Sequence, residues 1–559
     1  MDLDYDLSCA FHTPEILERK IRMLAEHGFE RLLIVAPPPG NPDYSHAARV
    51  LSEDGPPNFL RQSRNALGDD PLELAVKYAK LAGLEVIIEF KPYEGGGVFT
   101  IPDGAIPHCG RNYMETLGGR SVGLDPFILE HPEFLLERKP CDDLRSKPVN
   151  RIELVFVLDK IDDGDGMKQI SFDDNAVSMF PAREFQIHIS SDNGTYIPYG
   201  EPFEIAEHVA LRTVTDANGE PVFPSPVRCR IIEIYGLKIE SPYFSICFRG
   251  DEKAFRTIPF SMCTVFSVDS KLTATVSPTV RNDVSVRQLP FNRVGFEFEE
   301  VGPYYWDCGW RSCTILGFAR GRMKHLRGSL CEAYPEVRKY WLQQISNFIA
   351  MGVDGVEVRL QSHCSGVTDF VNYGFNPPLA EAYLEKYAAD ILAEPCDPIK
   401  LMQIRGRFFE MFIQDAKKLL LRNKRKLLIQ LHACMEKPSL SPVFHKLGFW
   451  ANAKILPDWR RLIELADEVV IKDYNFGEYS IHVADEIKNF AAEKQKPLWV
   501  HCYLQQGHDW NSRFLNALNS DSRVTGILLY EVVWNKREND GIIRLDSDGK
   551  LHWMMPENI

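Results

Sequence analysis

Apolar, β-rich runs that end in polar or glycine-containing loops alternate along the chain with segments of helical spacing. The stretch "TPEILERKIRMLAEHGF" has apolar residues three and four apart, a threonine at the expected cap and a glycine near its end, and it feeds the strand "RLLIVAPPPG" from Arg31. "DPLELAVKYAKLAGL" precedes a second strand, "EVIIEFKPYEGGG", and "VGFEFEEVG" (Val294–Gly302) reads as a third. The helix pattern "PEVRKYWLQQISNFIAMG" leads into a fourth, "GVEVRLQSHC". "KLLIQLHACM", "EVVIKDYNFG", "PLWVHCYLQQG" and "GILLYEVVWN" follow as fifth to eighth, each behind a helical segment. Eight strands with intervening helices predict an α/β fold, a (β/α)8 TIM barrel, whose reactive end lies at the C-terminal ends of its strands.

Nearly two hundred residues separate the second and third of these strands, far more than a barrel loop needs. From about Asn150 to Pro278 the pattern becomes short alternating strands with turns, among them "RIELVFVLD", "CRIIEIYGLKI" and "YFSICFRG". This predicts an antiparallel β-sandwich inserted in the barrel. The expected division is residues 1–149 for the first part of the barrel with a long mouth loop, 150–278 for the insertion and 279–559 for the remainder.

Read at period two, one parity of the barrel strands is mostly Val, Ile, Leu and Phe, and the other is polar. The polar parity holds Glu89 and Lys91, Glu297 and Glu299, then Glu357, Arg359, Gln361 and His363, then Gln430 and His432. His501, Tyr503, Gln505 and Glu531 continue it on the last strands. In a barrel the apolar set faces the helices and the polar set faces the axis. On the sixth strand Lys472 and Asp473 adjoin, so one of them points along the axis, and Asp473 is the expected one. Glu89 and Glu297 divide evenly between a satisfied internal network and a functional role.

Composition narrows the chemistry. At 559 residues, 45% hydrophobic and 25% charged, the chain has the make-up of a folded protein of more than one core. Its formal charge of -14 is spread without a basic block, which argues against nucleic acid or an anionic membrane as a partner. No run approaches membrane-spanning length, and thirteen cysteines without a CxxC pair favour a reducing, cytoplasmic location. Aromatic residues gather in the loops after the strands: "GPYYWDCGWR" with Trp306, Tyr503 with Trp510, and Trp534. Flat apolar faces beside carboxylates, amides and imidazoles suit sugar rings, which have apolar faces and hydroxyl edges.

Cleaving a glycosidic bond requires a proton-donating carboxylic acid and a second carboxylate, about 5 to 9.5 Å apart. Glu357, Asp473 and Glu531 are the expected catalytic residues. Glu299, Trp306, Arg359, Gln361, His363, His432, His501, Tyr503 and Trp534 are the expected substrate-binding set. No cofactor and no metal is expected. The partner is a carbohydrate, and a homo-oligomer is left open. Arg359, Lys91 and the histidines suit either an acidic sugar or the positioning of the catalytic acids.

Asp354-Gly355, Tyr373 to Asn376 in "VNYGFNPP", and Arg405-Gly406 in "LMQIRGRFF" form a spaced set within residues 334–534. This stretch resembles the bacterial glycosyl-hydrolase-like barrels grouped as family-10-like glycosidases, and the resemblance implies a carbohydrate-active barrel. Asn376-Pro377-Pro378 departs from the acidic residue that members often carry before the proline, and the Asn-Glu and terminal Glu of the best-known retaining barrels are absent from the corresponding strands. Two other readings share these residues. One is a metal-dependent sugar isomerase or epimerase using Glu357, Asp473, His501 and Glu531 as ligands. The other is a non-catalytic carbohydrate-binding barrel.

Overall fold

In the computed structural model, the described residues are 1, 3, 6, 7, 10–36, 59–68, 70–93, 125–137, 139, 148–157, 185–191, 197–213, 225–241, 243–249, 260–267, 272–276, 279–280, 287–288, 298–300, 313–319, 325–360, 373–436, 455–472, 481–503, 512–530, 542–546 and 548–554. Its centre is a seven-stranded parallel sheet: β1 (Arg31–Val35), β2 (Glu85–Phe90), β3 (Gly355–Arg359), β4 (Lys426–Leu431), β5 (Glu468–Lys472), β6 (Leu498–Tyr503) and β7 (Gly526–Tyr530), paired in that order.

Helices precede these strands much as the periodicity predicts. The first, α1 (Pro14–Glu26), starts at Thr13, whose side chain accepts the Ile16 amide, with Pro14 occupying a position that needs no amide donor. It buries Leu17, Lys20, Ile21 and Leu24, spaced three and four apart. Helix α2 (Pro71–Leu81) is capped in the same way by Asp70, and α3 (Pro335–Ala350) leads into β3. Two further helices, α4 (Pro377–Tyr387) and α5 (Pro398–Arg422), lie between β3 and β4.

The sheet curls. Arg31 on β1 donates from Nη1 to Glu468 Oε2 on β5 at 2.8 Å, although four strand spacings, about 19 Å if flat, separate them in the pairing order. Leu33, Ile87, Leu428, Val470, Trp499 and Leu528 meet in one apolar cluster, so side chains from β1 to β7 converge on a common interior. The opposite parity, including Val86, Ile88, Val356, Val358, Ile429 and Ile471, enters the larger core together with helix residues. The two edge strands, β1 and β7, are not paired to each other. On its free edge, β1 exchanges hydrogen bonds with Met1: Val35 donates its amide to the Met1 carbonyl at 2.9 Å, and the Met1 amine donates to the Leu33 carbonyl at 2.8 Å.

The barrel therefore has seven strands among the described residues where eight were expected, and the difference lies at "VGFEFEEVG". Phe298–Glu300 pairs antiparallel with Cys313–Ala319, with Glu299 opposite Gly317, and β2 pairs directly with β3. Alternation of Phe and Glu specifies a half-buried strand but not its sheet, and closing the short connection to Cys313–Ala319 costs less chain entropy than joining the barrel.

Antiparallel pairing runs from Val149 to Ala319 in two five-stranded sheets. One is ordered Leu272–Val276, Phe260–Ser267, Val149–Val157, Val227–Ile239, Glu204–Arg212; the other is ordered Phe298–Glu300, Cys313–Ala319, Tyr243–Arg249, Phe185–Ser190, Ile197–Pro198. Val149, Ile152, Ile232 and Ile234 from the first and Ile187 and Phe244 from the second share an apolar cluster with Leu379 and Tyr383 of α4 and Leu401 and Ile404 of α5. Among the described residues no helix is long and apolar enough to cross a membrane.

Candidate active site

The barrel interior is built in tiers because successive inward residues rise along each strand. At the N-terminal end a charged floor closes it. Arg31 binds Glu85 and Glu468, Lys426 reaches the same two acids at 2.7 and 2.8 Å, and Trp499 Nε1 donates to Glu468 Oε2 at 2.7 Å. The Arg31 guanidinium lies 4.1 Å from the centre of the Trp499 ring. Gly526 is required there: a Cβ at that position would sit 2.4 Å from the Trp499 ring. Above the floor is the apolar tier of Leu33, Ile87, Leu428 and Val470.

Above that tier the interior turns polar. Ile87, Glu89 and Lys91 follow one another on the inward parity of β2, as do Glu357 and Arg359 on β3, Gln430 and His432 at β4, Val470 and Lys472 on β5, and Trp499 and His501 on β6. The register places Glu357 beside Glu89, Arg359 beside Gln430, and Lys472 beside His501. All are buried, Glu89, Glu357 and Gln430 completely. Arg359 Nη1 donates to Glu89 Oε1 at 3.1 Å, and Lys91 Nζ lies 3.7 Å from the same oxygen. Gln430 Nε2 donates to Glu357 Oε1 at 2.6 Å. Glu89 Oε2, Glu357 Oε2 and Gln430 Oε1 are buried without a hydrogen-bond partner among the described residues.

Two acids on adjacent strands thus meet opposite electrostatics. Burial acts against ionisation of Glu89, but Arg359, Lys472, Lys91 and His501 outweigh it and hold its carboxyl well below the usual range. Glu357, by contrast, is pushed up to about 8 by burial and by the neighbouring Glu89 charge, which Lys472, Gln430 and Arg359 only partly offset. At neutral pH the pair is one carboxylate and one carboxylic acid. Burial, with Arg359 and Lys472 beside it, lowers the basicity of His432. Burial and Lys472 lower that of His501. Lys472 itself is lowered well below an ordinary lysine by burial and by Arg359.

The expected site residues divide into three groups. Glu357, Arg359, His432 and His501 are brought together in the polar tier, and Tyr503 closes β6. Glu299 stands on the antiparallel sheet described above rather than on a barrel strand, which corrects its expected place at the axis. Asp473, Glu531, Trp306, Gln361, His363 and Trp534 lie outside the described residues. On β5 Lys472 faces the interior in step with Val470. Glu89 and Gln430 were visible on the polar parity without being counted in the site. The signal that finds them is register, which puts Glu89 beside Glu357 and needs a sheet order to be known. Among the described residues no group of three or more His, Cys, Asp or Glu is placed to hold a metal ion.

The residues that carried the family resemblance have structural partners. The Asp354 carboxylate accepts the Val86 amide and Lys80 Nζ, each at 2.8 Å, and a Cβ on Gly355 would lie 2.9 Å from Ile87 Cδ1. Asn376 accepts the Glu137 amide and donates to the Leu135 carbonyl. Arg405 grips Glu332 with bonds of 2.6 and 3.2 Å, both residues buried, and Gly374, at φ +102°, leaves room for the Arg405 side chain. A Cβ on Gly406 would fall 2.3 Å from the Leu456 carbonyl oxygen. Asn376 thus ties the start of α4 to the Leu135–Glu137 strand, and Arg405 and Gly406 tie α5 to Glu332 and to Leu456.

No family model and no curated protein matches the chain. Among solved structures, it is similar to the PgaB glycoside hydrolase domain from Bordetella bronchiseptica at 13% identity, over 36% of this chain and 59% of that one, with a TM-score of 0.24. A chitinase from Chromobacterium violaceum matches at 14% identity over 30% and 42%, with a TM-score of 0.17. A morphinone reductase variant matches at 12% identity over 37% and 49%, with a TM-score of 0.22. The matched stretches span less than two thirds of each of those chains. Similarity at this level assigns neither a fold nor an activity.

Proposed function

We propose that the protein is a glycoside hydrolase acting on an oligo- or polysaccharide, with Glu357 as the proton donor to the departing sugar oxygen. The observation that carries this reading is the split ionisation of Glu89 and Glu357, side by side on β2 and β3. Two carboxyl groups pushed apart in this way are what acid catalysis beside an ionised partner requires. Glu89 and Glu357 are register partners on neighbouring strands, about 4.8 Å apart, which supports their acting as a pair. Glu89 is the ionised partner among the described residues. Asp473 and Glu531, which follow β5 and β7 directly in the sequence, are the alternative second carboxylates. Their order after strand ends supports that role under the fold rule for barrels. The antiparallel sheets between β2 and β3 are read as a sandwich-like accessory unit.

In this mechanism Glu357 protonates the glycosidic oxygen as its bond to the anomeric carbon breaks, the ionised carboxylate meets the positive charge that develops on the ring, and a water then adds to the anomeric carbon and gives its proton back to Glu357. Arg359 and Lys91 keep that carboxylate from taking up the proton. The test is a panel of oligosaccharides followed by reducing-end detection, repeated with Glu357→Gln. Loss of a donor of this kind lowers the rate by about 10²- to 10⁴-fold. Wild-type turnover should also fall as pH rises through about 8, where Glu357 ionises. Absence of turnover on every glycan, or turnover that survives Glu357→Gln, would refute the assignment.

A further inference from the structure

Away from the barrel, the strand Glu204–Arg212 stands at one edge of its five-stranded antiparallel sheet among the described residues. On its inner side it pairs with Val227–Ile239 through all nine residues in one continuous register. Along an edge strand, every other backbone N–H and C=O points away from the sheet and offers a template for a further strand. Proteins blunt such edges with proline, lysine, a bulge or short length, and EIAEHVALR uses none of these devices. The strand also carries apolar surface into solvent, with Val209 57% exposed and Leu211 70% exposed.

The partner that suits this edge is its own copy. Two such strands laid antiparallel and centred on His208 use all nine residues and set Glu204 opposite Arg212, Ile205 opposite Leu211 and Ala206 opposite Ala210, each pair occurring twice by symmetry. Opposed residues are an even number of positions apart, so each lies on the same face in both copies and the two sheets continue into one another. Both ends are then closed by opposite charges. Arg212 reaches Glu153 of its own sheet at 3.4 Å, yet its side chain stays 42% exposed and open to a second carboxylate. Glu207, already matched by Arg230 at 2.5 Å, faces Val209 without bringing an isolated charge to the contact. We infer that the chain forms a two-fold dimer through the Glu204–Arg212 edge, joining the two five-stranded sheets into one. Because each copy spends the same edge on the contact, assembly stops at two.

The experiment follows the mass of the full chain by light scattering and sedimentation equilibrium over a concentration series. Wild type should pass from one chain mass to two and go no further. Glu204→Arg sets arginine against arginine at both ends of the contact, and Arg212→Glu sets glutamate against glutamate. Each variant alone should raise the dimer dissociation constant by about tenfold or more, since two attractive cross-strand pairs become repulsive. An equimolar mixture of the two variants restores both opposite-charge pairs and should form the mixed dimer with near wild-type affinity. Melting curves matched to wild type verify that the variants are folded. If a charge variant melts early, Leu211→Lys takes its place: it puts a lysine on the edge opposite Ile205 and should also dissociate the dimer. A single chain mass at every concentration would overturn the inference, as would a dimer that these substitutions leave unchanged. A mixture that fails to recover would overturn the register, and growth beyond two chains would overturn the closed two-fold contact.

Discussion

Replacing Glu357 by Gln should make stability less sensitive to pH, whatever the substrate. The substitution keeps the shape of the side chain and an oxygen to accept from Gln430 Nε2, now at 2.6 Å from Glu357 Oε1. In the folded wild type this carboxyl titrates near 8, against an ordinary glutamate value of 4.5 in the unfolded chain. A group whose folded value is raised stabilises the fold fully below its unfolded value, and that contribution is lost as pH rises through the folded value. Wild-type stability should therefore fall between about pH 5 and pH 9 by something on the order of 3–5 kcal/mol relative to Glu357→Gln. Glu89 moves oppositely: its lowered value gives stability above the ordinary carboxylate range that is lost in acid, so the window from pH 5 upward isolates Glu357. Urea unfolding followed by tryptophan fluorescence reads the barrel directly, since Trp341, Trp459 and Trp499 pack in it. Midpoints at pH 5, 7 and 9 for both proteins should diverge with rising pH. Parallel curves would mean that Glu357 is ionised in the fold, and the assignment of the proton donor would go with it.

Two structural predictions follow from the same packing. Glu332→Gln weakens the buried bidentate pair with Arg405 and should cost about 3–5 kcal/mol in thermal or urea unfolding, with turnover per folded molecule unchanged because the clamp lies outside the polar tier. An unshifted melt would show that Arg405 and Glu332 do not hold α5. Gly526→Ala drives a methyl into the Trp499 ring, which Glu468 and Arg31 hold from the other sides, and should cost about 1–3 kcal/mol with a change in tryptophan emission. Unchanged emission and stability would mean that the floor rearranges freely.

Local pattern alone was enough to place the helices and seven parallel strands, because each depends on periodicity and capping within a few residues: Thr13 before α1, Asp70 before α2, alternating Val and Glu in β3. It also separated the inward from the outward parity, so Glu357, Arg359, His432 and His501 were legible as one face. Three things required the tertiary structure. The sheet joined by Phe298–Glu300 depends on which partner strand is nearest, and a three-residue alternation says nothing about that. The inward placement of Lys472 depends on the parity fixed by Val470 packing against Ile87 and Leu428. The split ionisation of Glu89 and Glu357, 268 positions apart in the chain, arises because β2 and β3 are neighbours in register inside a buried interior. Periodicity is a property of adjacent residues, whereas charge in a buried tier is set by whatever the fold brings within a few ångströms.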